Sequence, residues 1–327
     1  MRLLFLIAFF FWNCTNQVAD KSAQNPENEG KPKIGFNCKA SYQTPIQVAL
    51  ADSLFSLMSE NALENMVLRI PGGTRSQKDF ARDWPDSRMK MWTDLQKKYG
   101  YKMVYVVNGN DSPENQLELI RRWQKNGAEF VFLEMMTEYY LHKFQKPLLN
   151  KPEVTRKVTQ EDYTNDILPA FYTHLDSLNL PYYLIFAPVK IRRGIDRYAG
   201  WNDHMVEYAK NEKREMGAVL HLYWKDPDEA YDYDQIARLR SRLPKGMPIA
   251  VTEFGVLTRD IEQEHHADLS VQHAQSIVDQ LGEGDFIMDQ VLYNDYPGNI
   301  MGNTNPRLGG ITTKGVAMVE YYNSLYP

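Results

Sequence analysis

The sequence predicts a single-domain (β/α)8 TIM barrel of the α/β class, on three observations. From Lys33 onward, short apolar runs alternate strictly with amphipathic stretches, the pattern that strand–helix units leave around a parallel sheet. Eight such runs occur about 25 to 50 residues apart, a spacing that favours closing the sheet into a barrel. The chain of 327 residues also suits a barrel of roughly 250 residues plus decorations.

In order, the predicted strands are Ile34–Asn37, Met66–Ile70, Met103–Asn108, Glu129–Glu134, Tyr182–Phe186, Ala218–Tyr223, Ile249–Thr252 and Phe286–Tyr293. Each is a short run of mostly β-branched, leucine or aromatic residues, as expected of a strand covered on both faces. The predicted helices are Thr44–Ala62, Ser87–Tyr99, Pro113–Asn126, Gln160–Leu178, Asn202–Asn211, Asp234–Leu243, Leu269–Leu281 and Thr313–Leu325. Thr44–Ala62 carries Ile46, Leu50, Leu54, Leu57 and Met58 on one side. Asp111-Ser112-Pro113 is a cap followed by proline in the first helical turn, and Asn126-Gly127 marks that helix's end. Gly100, Gly127 and Gly246 lie just past helices, where a left-handed residue is expected.

Residues 1–32 stand outside this pattern. Leu3 to Trp12 is an unbroken apolar run, too short for the ~20 residues of a membrane span but of signal-peptide size. Cys14 follows it and resembles the lipidated cysteine of bacterial lipoproteins, although Trp12 and Asn13 stand where small residues are usual. The expected organisation is a signal peptide over 1–14 ending at Cys14, a polar tether over 15–32 and a catalytic barrel over 33–327. That organisation implies a lipid-anchored protein of the cell envelope, facing periplasm or exterior, or otherwise a secreted one. Cys38, the only other cysteine, is expected to be a small buried hydrophobe. Two cysteines cannot build a disulfide framework or a cysteine zinc site. The net charge of −5 comes with no basic stripe, which argues against a nucleic-acid partner.

Chemistry in such a barrel sits at the C-terminal strand ends, and polar residues fall there. The second strand runs into Arg69-Ile70-Pro71-Gly72-Gly73-Thr74, the third ends at Asn108, and the fourth reads Phe130 to Glu134 followed by Met135-Met136-Thr137-Glu138. The sixth ends His221-Leu222-Tyr223-Trp224, the seventh reads Thr252-Glu253-Phe254-Gly255, and the eighth supplies Tyr293 and Asn294. Carboxylates end apolar strands only when paired or exposed in a cleft. Glu138 and Glu253, facing each other across a barrel mouth, suit glycoside hydrolysis: one protonates the leaving oxygen and the other attacks the anomeric carbon. Tyr223 and Arg69 are placed to keep Glu253 charged, and Glu134 is expected to pair with Arg69. Trp84, Trp92, Trp201 and Trp224 include candidate sugar-stacking rings.

The order of these motifs resembles the clan A superfamily of retaining glycoside hydrolases, with β-xylosidase-like and heparanase-like members most similar. Their second-strand motif is similar to Leu68 through Thr74, their Glu-x-Gly-Asn-Glu to Glu134 through Glu138, and their Thr-Glu-Phe-Gly to Thr252 through Gly255. The resemblance implies Glu138 as acid/base, Glu253 as nucleophile, a poly- or oligosaccharide substrate, and no metal or cofactor. It also implies substrate contacts from Arg69, Asn108, Glu134, Thr137, His221, Tyr223, Trp224, Tyr293 and Asn294. Thr137 departs from the clan's asparagine, which binds the sugar 2-hydroxyl; an unusual 2-substituent or reduced activity would follow.

Other readings compete. Glu253 as a salt-bridged strand end and Glu138 as a helix first-turn acid would leave a catalytically impaired, glycan-binding lipoprotein. A barrel with another reaction, a lyase or metal-dependent hydrolase, is the third possibility, although no clustered His/Asp ligand set appears. His265-His266 lies among Glu262 and Glu264 and reads as solvated loop rather than a metal pair. Arg75, Lys78, Arg82, Arg88, Lys190, Arg192 and Arg193 would favour anionic glycans, against the ordinary reading of charge runs as solvent-facing.

Overall fold

In the computed structural model, eight parallel strands close into one barrel, each strand bonded to its sequence neighbours and the last to the first. The structure describes residues 30–39, 44–77, 84–141, 143, 145, 158–188, 191–192, 195–196, 198–226, 230–258, 261–294 and 301–327. The strands are β1 (Lys33–Asn37), β2 (Met66–Ile70), β3 (Lys102–Val107), β4 (Phe130–Met135), β5 (Tyr182–Ile185), β6 (Met216–Trp224), β7 (Ile249–Val256) and β8 (Phe286–Asp289). Cys14, the expected tether up to residue 29, Lys78, Arg82, Lys190 and Arg193 lie outside the described residues. No helix among the described residues is long and apolar enough to cross a membrane. Cys38 is free and fully buried.

All eight predicted strands are present, with shifted ends. β7 continues four residues past Thr252, while β8 stops at Asp289 rather than Tyr293. After β8 the backbone still bonds to both neighbouring strands, with Gln290 N–H donating to Phe254 O on β7. Leu292 N–H donates to Asn37 O, and Tyr293 bridges to Thr304.

A helix follows each strand, with three corrections. Thr44–Ala62 is two helices, Thr44–Phe55 and Glu60–Glu64, because Ser59 caps the second by accepting from Ala62 N–H. Gln160–Leu178 contains a π turn over Tyr163–Ile167, and this turn sets the Tyr163 hydroxyl 2.7 Å from Met135 O at the end of β4. The helix expected to begin at Leu269 begins at Gln263. His265-His266 is therefore helical rather than solvated loop, and His266 is fully buried with Nε2 3.1 Å from Val256 O. Burial, with Lys314 nearby, pushes His266 down to about 4, so it is neutral. Gly100, Gly127 and Gly246 do take positive φ.

Aromatic rings close the N-terminal end of the barrel. Phe132 stacks on Tyr183 at 3.7 Å, with Phe286 edge-on to both. A Cβ on Gly217 would lie 2.3 Å from the Tyr183 ring, so β6 needs glycine there. With one end plugged, polar side chains can gather only at the other. Trp84 and Trp92 are core residues, 1% and 0% exposed, and cannot stack on a sugar.

Candidate functional site

Strand register assembles the site. Asn37 on β1 pairs with Arg69 on β2, and His221 on β6 pairs with Glu253 on β7. The latter pairing depends on a bulge. Leu220 faces Val251 but His221 faces Glu253, so Thr252 is an extra residue that turns the Glu253 side chain to the axis.

Arg69 is the centre of the cluster. Fully buried, it donates from Nε to Glu134 Oε2 (2.7 Å), from Nη2 to Glu134 Oε1 (2.5 Å) and Thr137 Oγ1 (2.9 Å), and from Nη1 to Asn37 Oδ1 (2.9 Å) and Glu253 Oε1 (2.5 Å). Its five hydrogens thus have five acceptors, the condition under which a buried guanidinium is tolerated. Burial pushes the Glu134 carboxyl up, but Arg69 and His221 outweigh it and hold Glu134 down at about 2.

Glu253 is gripped at both oxygens, Oε1 by Arg69 and Oε2 by the Tyr223 hydroxyl. Glu138 lies just beyond β4, with Oε1 3.3 Å from the Tyr140 hydroxyl. Its side chain is 17% exposed, against 5% for Glu253. His221 joins them. Its Nδ1 is 3.4 Å from Glu138 Oε1 and 3.7 Å from Glu253 Oε2, so these two oxygens are at most the sum of those distances, about 7 Å, apart. Burial lowers the basicity of His221, but Glu253, Glu134 and Glu138 more than compensate and raise it to about 10. Burial likewise raises Glu138, and the charged His221 reverses this to leave it below the ordinary carboxylate range.

The backbone carrying Glu138 is strained. Met136 and Glu138 take φ of 71° and 45° without being glycine, a conformation that costs on the order of 1–3 kcal/mol per residue and clusters at functional sites. Tyr163 on Met135 O and Thr137 inside the cluster hold it there.

These contacts predict a stability optimum in pH. Glu134 falls from 4.5 to about 2 on folding, so its contribution is present above about 4.5 and lost as pH drops towards 2, worth about 3 kcal/mol. His221 rises from 6.5 to about 10, so its contribution is full below about 6.5 and lost as pH climbs through 10. Urea midpoints measured against pH should peak between about 5 and 6.5 and fall on both sides; a flat profile would contradict the ion cluster.

Of the residues nominated from sequence, Arg69, Glu134, Thr137, Glu138, His221, Tyr223 and Glu253 form one connected cluster. Asn108 Oδ1 accepts from Asn110 N–H within the turn after β3. Trp224 packs outward against Tyr231 and His273, because alternation along β6 sends its neighbour Tyr223 inward. The backbones of Tyr293 and Asn294 pair with Thr304. Thr137 accepts from Arg69 and lies 2.9 Å from Ser76 Oγ, which donates to Gly73 O. The Thr137 hydrogen is therefore directed to Ser76 rather than to a ligand.

Sequence reasoning missed Asn37, Gln290, Ser76 and Tyr140. Asn37 and Gln290 carried a usable signal, a polar residue at or just past the end of a buried strand. The Asn37 amide also donates to Gln290 Oε1. A Cβ on Gly72 would fall 1.7 Å from Asn37 Oδ1, the oxygen that accepts from Arg69. Gly72→Ala should therefore displace Asn37, lowering stability by about 1–3 kcal/mol; an unchanged melting temperature would show that the turn yields freely.

Among the described residues no group of three His, Cys, Asp or Glu side chains is arranged to hold a metal ion. Tyr140, Tyr198 and Trp201 form an aromatic wall beside Glu138, with Tyr140 centred 5.0 Å from Tyr198 and 6.2 Å from Trp201.

No protein-family model and no curated protein sequence matches the chain. Solved structures do. A family 39 glycoside hydrolase from the gut symbiont Bacteroides cellulosilyticus WH2 matches at TM-score 0.55 and 12% identity, over 90% of this chain; the chain spans 64% of that protein's length. The Penicillium canescens endo-1,4-beta-xylanase XylE matches at 0.57 and 10%, over 91% of this chain and 96% of its own. An endo-1,4-beta-xylanase from Caldicellulosiruptor owensensis matches at 0.52 and 11%, over 88% and 96%. At such identities the likeness is one of fold.

Proposed function

We propose that this barrel is a retaining glycoside hydrolase acting on a poly- or oligosaccharide, with Glu253 as nucleophile and Glu138 as acid/base. The observation that carries the reading is the approach of both carboxylates to one histidine nitrogen, which bounds their nearest oxygens at about 7 Å. That bound includes the ~5–5.5 Å of carboxyl pairs that form a glycosyl-enzyme. The environments also differ as two roles require. Glu253 takes a donor on each oxygen, which holds it in place as a nucleophile. Glu138 is the more exposed of the two and stands by the aromatic wall, where a sugar C–H face would pack. The glycoside hydrolases among the structural neighbours support the same reading at the level of fold.

In the first half-reaction Glu253 attacks the anomeric carbon as Glu138 protonates the departing oxygen; in the second, Glu138 takes a proton from the incoming water. Arg69 and Tyr223 stabilise the carboxylate of Glu253 as it forms the ester and as it is released. The test is a panel of aryl xylosides, mannosides, glucuronides and arabinofuranosides with matching polysaccharides, following aryl alcohol and reducing ends. Release from at least one sugar, with the anomeric configuration kept in the first-formed product, is expected; binding without release would overturn the assignment.

The location belongs to the same proposal: Cys14 carries lipid and anchors the barrel at the cell envelope. The apolar run from Leu3 to Trp12 ahead of that cysteine supports it. Cys14→Ala should move the protein from the membrane fraction to the soluble one.

A further inference from the structure

We infer that His221 stores the proton that Glu138 delivers, its Nδ1 hydrogen lying between the two carboxylates that would flank the sugar. This rests on the glycosidase reading and goes beyond it. Nδ1 is buried and makes no hydrogen bond of good geometry, yet it is 3.4 Å from Glu138 Oε1 and 3.7 Å from Glu253 Oε2. The other ring nitrogen is fixed, 3.2 Å from Thr252 Oγ1 and 3.8 Å from Glu134 Oε1.

The charged groups acting on the ring are Glu134 from β4, Glu138 beyond it and Glu253 on β7, and these carboxylates are bonded in turn to Arg69 from β2, Tyr140 beyond β4 and Tyr223 on β6. Arg69 cannot release a proton and has its five hydrogens committed. The Tyr223 hydrogen goes to Glu253. Three carboxylates thus surround two cations, Arg69 and His221. The balance leaves the mobile proton on the imidazole, while Glu138 is held in its ionised form. A general acid must carry a proton, and here that proton is one short transfer away.

The steps balance. The Nδ1–H bond breaks and an O–H bond forms on Glu138, leaving both groups neutral. Glu138 passes the proton to the glycosidic oxygen, which keeps the electron pair of its broken bond to carbon, while Glu253 bonds to the anomeric carbon. Water then attacks that carbon, its proton goes to Glu138, and the ester bond's electrons return to Glu253. Glu138 finally returns the proton to Nδ1. As Glu253 bonds to carbon it loses its charge, which removes one of the attractions that would draw a proton back to His221 until the ester is hydrolysed.

The test compares wild type and His221→Gln on the phenyl and 2,4-dinitrophenyl glycosides of the sugar that wild type cleaves. The dinitrophenyl group leaves without protonation. The variant should lose about 10²-fold in kcat/KM on the phenyl glycoside and less than about tenfold on the dinitrophenyl one, with the alkaline limb of the phenyl profile moved to lower pH. Equal losses on both substrates, or an unmoved limb, would overturn the inference. A nitrogen-15 NMR titration of histidine-labelled protein needs no substrate. It should show His221 doubly protonated at neutral pH in wild type and titrating lower in Glu138→Gln; a neutral ring in wild type would overturn the inference. Wild type inactive on every glycoside refutes the glycosidase reading instead, and the two failures are told apart.

Discussion

Glu253→Gln should abolish turnover, by about four orders of magnitude or more, while leaving the barrel folded. Loss of a nucleophile commonly removes nearly all catalysis beyond what binding and charge stabilisation supply. The fold should survive because glutamine keeps the shape. Its carbonyl oxygen can still accept from Arg69 Nη1, and its amide can turn towards the Tyr223 oxygen. Arg69 also keeps Glu134 as a bidentate partner, so no buried charge is left unpaired. The discriminating readout is kcat alongside the far-UV spectrum and the melting temperature. A rate within tenfold of wild type would remove Glu253 from the mechanism. Loss of structure would make it a framework residue.

Arg69→Met should be the most destabilising single change in the molecule. Methionine fits the length of the side chain but leaves Glu134 and Glu253, 0% and 5% exposed at their side chains, with His221 as the one remaining cation of the cluster beside them. Breaking a buried pair by removing one partner costs about 3–5 kcal/mol, and here one guanidinium serves two carboxylates. Against a total stability of about 5–15 kcal/mol, that is a large fraction. Activity should vanish too, since Glu253 loses a donor and Glu134 loses the guanidinium that holds its carboxyl low. Arg69→Lys should recover only part of the loss, because three donors cannot replace five in planar array. Chemical denaturation of the three proteins orders them wild type, lysine, methionine. A methionine variant within 1 kcal/mol of wild type would mean that the cluster contributes little to the fold.

Much of the site was legible in sequence because burial of charge is so costly. An apolar strand such as Met66–Ile70 that contains arginine demands a carboxylate, and Glu134 on another such strand supplies it. The barrel was legible for a related reason: strands covered on both faces are apolar throughout, and their count and spacing are properties of sequence. The bulge at Thr252 was not, because an extra residue in one strand appears only against its partners' register. Inward and outward faces were equally hidden, which is why Trp224 was placed with Tyr223 though it points the other way. The motif alone sets Thr137 against the sugar, whereas the structure directs its hydroxyl to Arg69 and Ser76. The helix start at Gln263 was masked by its first residues, Gln263-Glu264-His265-His266, whose polarity resembles a loop until His266 is seen buried against Val256.

The central claim is that Glu253 bonds to sugar while Glu138 stands across from it. Incubating the protein with 2,4-dinitrophenyl 2-deoxy-2-fluoro glycosides of the panel sugars, then mapping the adduct by peptide mass spectrometry, tests this most directly. One sugar per chain, attached to Glu253 and absent from Glu253→Gln, is the expected result. A sugar found on another carboxylate, or an inverted product with no adduct, would contradict the account.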